Sequence, residues 1–451
     1  MKMKANTPKG SGKGTDPIYD FVRNKDSPRK RIFYILVCSL LILCIAAAVL
    51  SIILHGKEKF ILGADTGYEY FMTNNGLKWS RDGAESAVLR ILKKSGINTV
   101  RIGVCVQDDD IGGRNYASQV ALRAKENSLD ACFVFFLSDE ETSINNQKSP
   151  LIWDSLPVAE KADAVKEYSE ATVRYFKTLG IKTHLFEIGN EIDFGICGVF
   201  AGHEAPQNDT QWLSENIWVS EAKILKACQE GILKADAKAE FVIHLASWTM
   251  TERCAAFIKT ILENGVRVDY TGLTYFPSSS GVSDGVLATF EERANNLSVS
   301  SGKPVIISET AYPCKDSFPG IYHEWKSALL NYPLTENGQR NFLSDLLNFC
   351  YRHKNIKGVF YKNPEWYNGE WWAFALFSED GSARESVDAF SIFKDPELAA
   401  IDYAEKALNE TESNRISKQL LQEAKNELRE GNIEKAKFLA RSAEAEAEAR
   451  K

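Results

Sequence analysis

The sequence lacks the short motifs by which many enzymes bind metals and phosphates. It has no His-Glu-x-x-His segment, and its six histidines are scattered over 451 residues. A phosphate-binding loop follows a strand, whereas the Gly-Ser-Gly-Lys-Gly segment at 10–14 follows no predicted strand. We therefore predict neither a bound metal nor another cofactor.

An excess of positive charge is also lacking. Lysine and arginine number 54, aspartate and glutamate number 61, and the formal net charge is −7. This balance offers no extended cationic surface to a phosphate backbone. We therefore predict no nucleic acid partner.

Cysteines with zinc or redox spacing are absent as well. Cys38 and Cys44 fall in an apolar run, and the other seven form no Cys-x-x-Cys pair. A disulfide such as Cys197 to Cys314 and buried free thiols both remain open.

Residues 32–54 form an uncharged apolar run, long enough to cross a hydrocarbon core of about 30 Å as a helix. Nine lysines and arginines precede the run, whereas Lys57 and Lys59 alone follow it closely. The positive-inside rule then leaves residues 1–31, a polar segment expected to be disordered, in the cytoplasm. The run predicts a single-pass anchor in the cell membrane, with everything after it outside.

The region 57–394 alternates strand-like runs with stretches of helical periodicity. Such β-α units form parallel sheets, and eight strands are the closure number of a TIM barrel. We therefore predict an α/β fold of the (β/α)₈ type, with an open doubly wound sheet as the alternative. The strands are expected at 60–65, 99–104, 131–137, 184–191, 240–246, 270–276, 304–310 and 356–363. Helices are expected at 83–95, 157–179, 215–235, 251–264, 284–299 and 337–353.

After Asp395 the composition shifts to alanine, glutamate, lysine, leucine and arginine. Two apolar stripes separated by Gly431 predict an α-helical hairpin over 395–451. Its expected role is packing or self-association.

Two predicted strands end in a carboxylate, which matters because TIM barrels place catalytic groups at these ends. Glu191 follows Asn190 at the end of the fourth strand, and Glu309 ends the seventh. One could act as general acid and base while the other attacks the anomeric carbon, which requires about 5 to 5.5 Å between them. The alternative is that each caps the following helix.

Other polar or aromatic residues lie at equivalent positions. Arg101 could hold a carboxylate ionised or form a structural ion pair, Tyr275 could donate to Glu309, and His244 could equally be a core histidine. Glu187 is expected to be buried and structural. The further candidates for substrate binding are Asp65, Asp139 and Trp366.

Across 61–390 the sequence resembles the β-1,4-endogalactanases of glycoside hydrolase family 53, a retaining barrel family. The resemblance implies that Glu191 is the acid/base, that Glu309 is the nucleophile, and that Arg101, Asn190 and Tyr275 line the subsite of the cleaved sugar. It rests on LGAD at 62–65, LRILKKSGINTVRI within 82–102, EIGNEI at 187–192, DYTGLTYFP at 269–277, SETAYP at 308–313 and ALFSEDGSARES at 375–386.

The sequence departs from that pattern near the expected site. Gly103 and Cys105 stand where the galactanases usually have arginine and tryptophan, and Phe136 where they have histidine. Lys362 and Asn363 replace a tryptophan and a glutamate. Lys362 either brings a cation to the cleft, favouring an acidic or substituted sugar, or points to solvent.

We therefore predict a retaining hydrolase of β-linked polysaccharide, with β-1,4-galactan as the default substrate. The alternatives are a carbohydrate-binding protein on the same barrel and a scaffold protein that acts through its C-terminal helices.

Overall fold

The computed structural model describes residues 36–42, 59–107, 111–138, 142–279, 287–411 and 415–449. The chain divides into two compact units, Met1–Lys59 and Phe60–Lys451. In the first unit, residues 36–42 are helical. No helix among the described residues has the length and apolarity needed to cross a membrane. The tail predicted at 1–31 lies outside the described residues, as does the predicted membrane helix at 32–54 apart from that helical segment.

The second unit contains a closed barrel of eight parallel strands. Each strand pairs with its neighbours in chain order, and the first closes against the eighth. The predicted TIM barrel is therefore confirmed and the open sheet is wrong. The strands are β1 (Ile61–Asp65), β2 (Thr99–Val104), β3 (Asp130–Phe135), β4 (Leu185–Ile188), β5 (Glu240–Leu245), β6 (Tyr270–Tyr275), β7 (Val305–Thr310) and β8 (Ile356–Lys362).

An apolar cluster in the barrel interior shows which residues point inward. Cys132, Val242, Ile306 and Phe360 come from four different strands and pack together there. A Cβ on Gly63 would lie 2.1 Å from the Phe360 ring, so a glycine is required beside it. Because side chains alternate between the two faces of a strand, the residues two positions after these four also point inward. Those residues lie nearer the carboxyl ends of the strands.

In the described part of the chain, seven helices of two turns or more and a short one after β8 surround the barrel, in addition to the short helices Glu69–Asn74 and Thr210–Leu213. Those eight are α1 (Val88–Ser95), α2 (Arg114–Glu126), α3 (Val158–Thr178), α4 (Val219–Ala235), α5 (Thr251–Glu263), α6 (Leu287–Ser301), α7 (Glu336–Arg352) and α8 (Ala389–Ile392). α2 was not predicted, because its buried face is built largely from Ala117, Ala121 and Ala124 rather than from large apolar residues.

Three helices follow the barrel, not the two of the predicted hairpin. They are α9 (Pro396–Glu410), α10 (Arg415–Arg429) and α11 (Ile433–Glu448). Pro396 takes the first turn of α9, where a missing N–H has no cost. Arg340 of α7 pairs with Glu444 at 2.8 Å, and Asp345 pairs with Arg441 at 2.7 Å, so α11 is tied to the barrel.

Candidate active site

Glu309 ends β7 and is held through one of its two oxygens. Its Oε1 accepts hydrogen bonds from Arg101 Nη1 at 2.8 Å and from Lys362 Nζ at 2.7 Å. No described residue donates to Oε2. The side chain is 4% exposed. Glu309 is therefore anchored on one side by two cations.

Glu191 was predicted at the end of β4, but it lies in the turn that follows the strand. β4 ends at Ile188, and both Gly189 and Glu191 adopt positive φ, 75° and 55°. A left-handed conformation in a residue other than glycine is strained, and such strain is concentrated at functional sites. Glu191 Oε1 accepts from Thr274 Oγ1 at 2.7 Å, and Oε2 accepts from the Ile144 amide at 3.2 Å.

Arg101 of β2 bonds to residues of β1, β4 and β7 and is 1% exposed. Nη1 donates to Asp65 Oδ2 at 2.6 Å as well as to Glu309. Nη2 donates to Asn190 Oδ1 at 2.8 Å and to Glu187. Glu187 also accepts from Ser308 Oγ at 2.7 Å and is fully buried, as predicted. The guanidinium fork thus fixes the arrangement of the carboxylates around it.

His244 of β5 is fully buried and connects this cluster to Glu191. Its Nδ1 lies 3.1 Å from Glu187 Oε1 and 3.2 Å from Asn190 Oδ1. Its Nε2 lies 2.8 Å from Thr274 Oγ1, which donates to Glu191. The hydroxyl of Thr274 is therefore the link between the two halves of the site.

The two carboxylates have opposite pKa shifts. Burial opposes ionisation of Glu309, but Lys362 and Arg101 outweigh it and lower the pKa of Glu309 to about 2. Desolvation, followed by repulsion from Glu309, raises the pKa of Glu191. The surroundings therefore shift the two carboxyls in opposite directions, toward the ionised form for Glu309 and toward the protonated form for Glu191, which is the pairing that acid-base catalysis needs.

A cavity of about 270 Å³ at the carboxyl ends of the strands is lined by Asp65, Asn190 and Lys362 of this cluster, whereas Glu191 and Glu309 are not among its lining residues. Its size is near the lower end for small-ligand pockets, which span about 300–1,000 Å³. Asp65 and Lys362 are its charged lining residues in the described part of the chain. Trp366 also lines it and stacks on Tyr68 with ring centroids 3.9 Å apart.

The sequence model of Glycosyl hydrolase family 53 matches residues 61–430 of the chain. The chain belongs to glycosyl hydrolase family 53. It is accordingly a glycosyl hydrolase with a TIM-barrel fold.

Individual relatives of this family 53 member are distant in sequence. An uncharacterized protein of Niallia circulans is 26% identical over 74% of this chain and 94% of its own. The endo-beta-1,4-galactanase of Bacillus subtilis is 23% identical over 69% of this chain and 71% of its own. The solved family 53 catalytic domain of Ignisphaera aggregans has a TM-score of 0.64 at 23% identity, covering 74% of this chain and 96% of that domain. At this identity the solved structure supports the fold alone.

Five of the positions at which this family 53 member departs from the galactanase pattern line the cavity. They are Gly103, Cys105, Phe136, Lys362 and Asn363. A Cβ at position 103 would lie 2.5 Å from the Phe136 ring, so the glycine and the phenylalanine depend on each other. Together they place an aromatic ring where two polar side chains are expected.

Lys362 points into the site, so the solvent-facing alternative for it is wrong. Its Nζ lies 2.7 Å from Glu309 Oε1 and 3.1 Å from Asp65 Oδ2. The inward direction follows from strand alternation, because Lys362 lies two residues after the interior Phe360.

Tyr275 lies on the outer face of the barrel, and its predicted hydrogen bond to Glu309 is not formed. Its ring stacks on Phe290 of α6 at 3.7 Å and lies 6.1 Å from Phe342 of α7. The inward residue of β6 is Thr274, which is in register with Glu309. Thr274 was not predicted as a site residue, although the alternation of side chains after the inward Gly272 indicates that it points inward.

Two further predictions have different outcomes. Cys197 and Cys314 are buried free thiols, so the disulfide is wrong. Asp139 lies outside the described residues.

Proposed function

We propose that this barrel hydrolyses a β-linked glycan by double displacement, with Glu309 as nucleophile and Glu191 as acid/base. The observation that carries the proposal is the contrast between the two carboxyls. Glu309 is paired with Arg101 and Lys362, whereas Glu191 is bound by a hydroxyl and an amide. A nucleophile must be ionised and a general acid protonated in the same enzyme.

Each half of the reaction would use both glutamates. In the first, Glu191 gives its proton to the glycosidic oxygen as the carbon-oxygen bond breaks, and Glu309 forms a bond to the anomeric carbon. In the second, Glu191 takes a proton from water, which displaces Glu309 and leaves a sugar of unchanged anomeric configuration. Asn190 and Asp65 lie at the cavity beside the pair and would bind hydroxyls of the cleaved sugar, with Trp366 as an aromatic wall.

We propose β-1,4-galactan as the first substrate to test, because the Bacillus subtilis relative is named an endo-beta-1,4-galactanase. The altered lining argues that the sugar is contacted differently. Phe136 offers no hydrogen bond, and Lys362 occupies the strand-eight position with an ammonium group. A substrate whose hydroxyls depend on those missing partners would lose affinity.

The test is a panel of β-linked galactans, mannans, xylans and glucans, incubated with the wild type and with Glu309→Ala. We expect the wild type to release reducing ends from at least one glycan and the variant to bind that glycan without cleaving it. Proton NMR of the first product should show the β-anomer. An α-anomer formed first would contradict double displacement.

A carbohydrate-binding protein on the same barrel is the second candidate. The observation that favours it is the ion pair between Lys362 and Glu309, which occupies the proposed nucleophile. Binding of a glycan by calorimetry with no turnover by the wild type at any pH would support this candidate over hydrolysis.

We also propose that residues 32–54 anchor the chain in the cell membrane with the barrel outside. The length of the uncharged run and the nine basic residues before it support this proposal. Full-length protein should resist extraction with alkaline carbonate, and protease added to intact cells should remove the barrel. Release into the carbonate supernatant would contradict the anchor.

Self-association through α9, α10 and α11 is a further proposal. It is supported by the exposure of Ile416, Ile433 and Phe438, at 53%, 41% and 60%. Sedimentation should show an oligomer that Phe438→Glu weakens. A monomeric wild type at high concentration would contradict it.

A further inference from the structure

Two nitrogens of cations and two carboxylate oxygens, one of them belonging to the proposed nucleophile, form a closed ring of ion pairs in which positive and negative charges alternate. Asp65 Oδ2 and Glu309 Oε1 each accept from Arg101 Nη1, at 2.6 and 2.8 Å. The same two oxygens each accept from Lys362 Nζ, at 3.1 and 2.7 Å. The two carboxylates therefore share the two cations, and each cation bonds to both carboxylates.

The strand register explains why these groups meet. Asp65 of β1 is in register with Arg101 of β2 on one side and with Lys362 of β8 on the other. Residues in register on parallel strands point to the same face, so all three side chains project inward at the same height. Glu309 arrives from β7, the strand beside β8.

Among the described residues, no tyrosine donates to Glu309. Tyr275 faces outward against Phe290, and the next residue, Phe276, has no hydroxyl. Lys362 supplies the second donor to Oε1. We infer that Lys362 is a positioning residue for the nucleophile: it anchors Oε1, turns Oε2 toward the sugar and keeps Glu309 ionised beside Asp65. This inference rests on the proposed function in naming Glu309 the nucleophile.

Removal of the lysine would leave two carboxylates on one guanidinium nitrogen. Like charges at such distance do not both stay ionised, so one of them takes up a proton at higher pH. The charged and titratable groups around Glu309 are Arg101, Asp65, Lys362, His244, Glu191 and Tyr322. Of these, Lys362 is the cation nearest to Glu309, and its loss should raise the pKa of Glu309 most directly.

The experiment compares Lys362→Met, Lys362→Arg and the double variant Lys362→Met with Asp65→Asn with the wild type, using Lys354→Met as the control. Lys354 is an exposed lysine that precedes β8, at the opposite end of the barrel. The Glu309 side-chain carboxyl is titrated by carbon-13 NMR, a measurement that does not need turnover. The resonance is assigned with Glu309→Gln.

We expect the Glu309 midpoint to rise by about one pH unit or more in Lys362→Met, and by less than about half a unit in Lys362→Arg. Adding Asp65→Asn to Lys362→Met should reverse part of the rise, because the repelling charge is then removed. Lys354→Met should leave the midpoint unchanged. A midpoint that does not move in Lys362→Met overturns the inference.

Kinetics separate this inference from the proposed function. On a dinitrophenyl β-glycoside, whose leaving group needs little protonation, the acidic limb of kcat/KM against pH should move up in Lys362→Met and return in Lys362→Arg. If the wild type is active and the acidic limb does not move in Lys362→Met, the role of Lys362 is overturned while the proposed function stands. An inactive wild type overturns the proposed function, and the NMR midpoints then still decide whether Lys362 controls Glu309.

Discussion

The two carboxyls of the site differ in what donates hydrogen bonds to them. Glu309 receives two cations on one oxygen. Glu191 receives a threonine hydroxyl and a backbone amide, one on each oxygen. Neutral donors stabilise a carboxylate less than charged ones do, so desolvation prevails at Glu191 and attraction prevails at Glu309.

A third carboxyl, Glu365, shows what burial does when cations are absent. It is fully buried, accepts from the Tyr68 amide at 3.0 Å, and has no partner for Oε2 among the described residues. Desolvation raises the pKa of Glu365 to about 8. Glu309 has the same chemistry and similar burial but a pKa of about 2, and Arg101 and Lys362 account for the difference.

The comparison predicts the largest effect for Glu309→Gln. The amide has nearly the same shape but cannot form the covalent intermediate, so kcat should fall on the order of 10⁵-fold or more. Glycan affinity should stay within a few fold. Initial rates and calorimetry check both, with Glu379→Gln at an exposed loop position as the control. A loss smaller than tenfold would remove Glu309 from the reaction.

A smaller and selective effect is expected for Glu191→Gln. Loss of a general acid costs roughly 10²- to 10⁴-fold on a natural glycan. A dinitrophenyl glycoside leaves without a proton, so bond cleavage should be nearly unaffected while release of the bound sugar slows. A burst of dinitrophenolate followed by a slow steady rate is the expected signature. Equal losses on both substrates would contradict the acid role.

Glu365→Gln should affect stability rather than catalysis. The pKa of Glu365 is about 8 in the folded protein against an ordinary 4.5, so folding keeps a proton that the unfolded chain releases between those values. Stability of the wild type therefore falls as pH rises through this window, and glutamine removes the loss. The gain should be absent below about pH 4.5 and reach about 2 to 4 kcal/mol by pH 8.

Urea unfolding of the wild type and Glu365→Gln at pH 4.5, 6 and 8 measures this gain. Glu370→Gln, at an exposed position of the same loop, is the matched control. A gain that does not grow with pH would show that Glu365 is ionised in the folded protein.

Much of the barrel could be predicted from the sequence, because the strands carry runs of β-branched and aromatic residues. β4 was extended to Glu191 because a positive φ in a glutamate leaves no sequence signal. α2 was missed because alanines form its buried face. α9, the first C-terminal helix, was not separated from the predicted hairpin, because its buried face mixes Ala400, Ala404 and Ala407 with only two large apolar residues, Ile401 and Leu408.

The site was predictable where strand alternation was applied and missed where it was not. Arg101, Asp65 and His244 all lie on inward positions and meet as expected. Tyr275 was chosen for its hydroxyl, although the bulge between Leu273 and Thr274 and the inward Gly272 make Thr274 the facing residue. The network among these side chains depends on register between distant strands, which one sequence does not show.

The smallest effect is expected at the link between the two halves. Thr274 Oγ1 donates to Glu191, and this hydrogen bond lowers the pKa of Glu191 against the larger effect of desolvation. Thr274→Val keeps the shape and removes the donor, so the pKa of Glu191 should rise further. The alkaline limb of kcat/KM should then move up by about half a pH unit.

Thr274→Ser is the matched variant, because it restores the hydroxyl and should restore the limb. The acidic limb, which reports on Glu309, should be the same in all three proteins, since the Thr274 hydroxyl donates to Glu191 and not to Glu309. A shift of the acidic limb in Thr274→Val would mean that the two carboxyls titrate as one coupled pair. Ionisation of one carboxyl would then change the pKa of the other through the hydrogen bonds of His244 and Thr274.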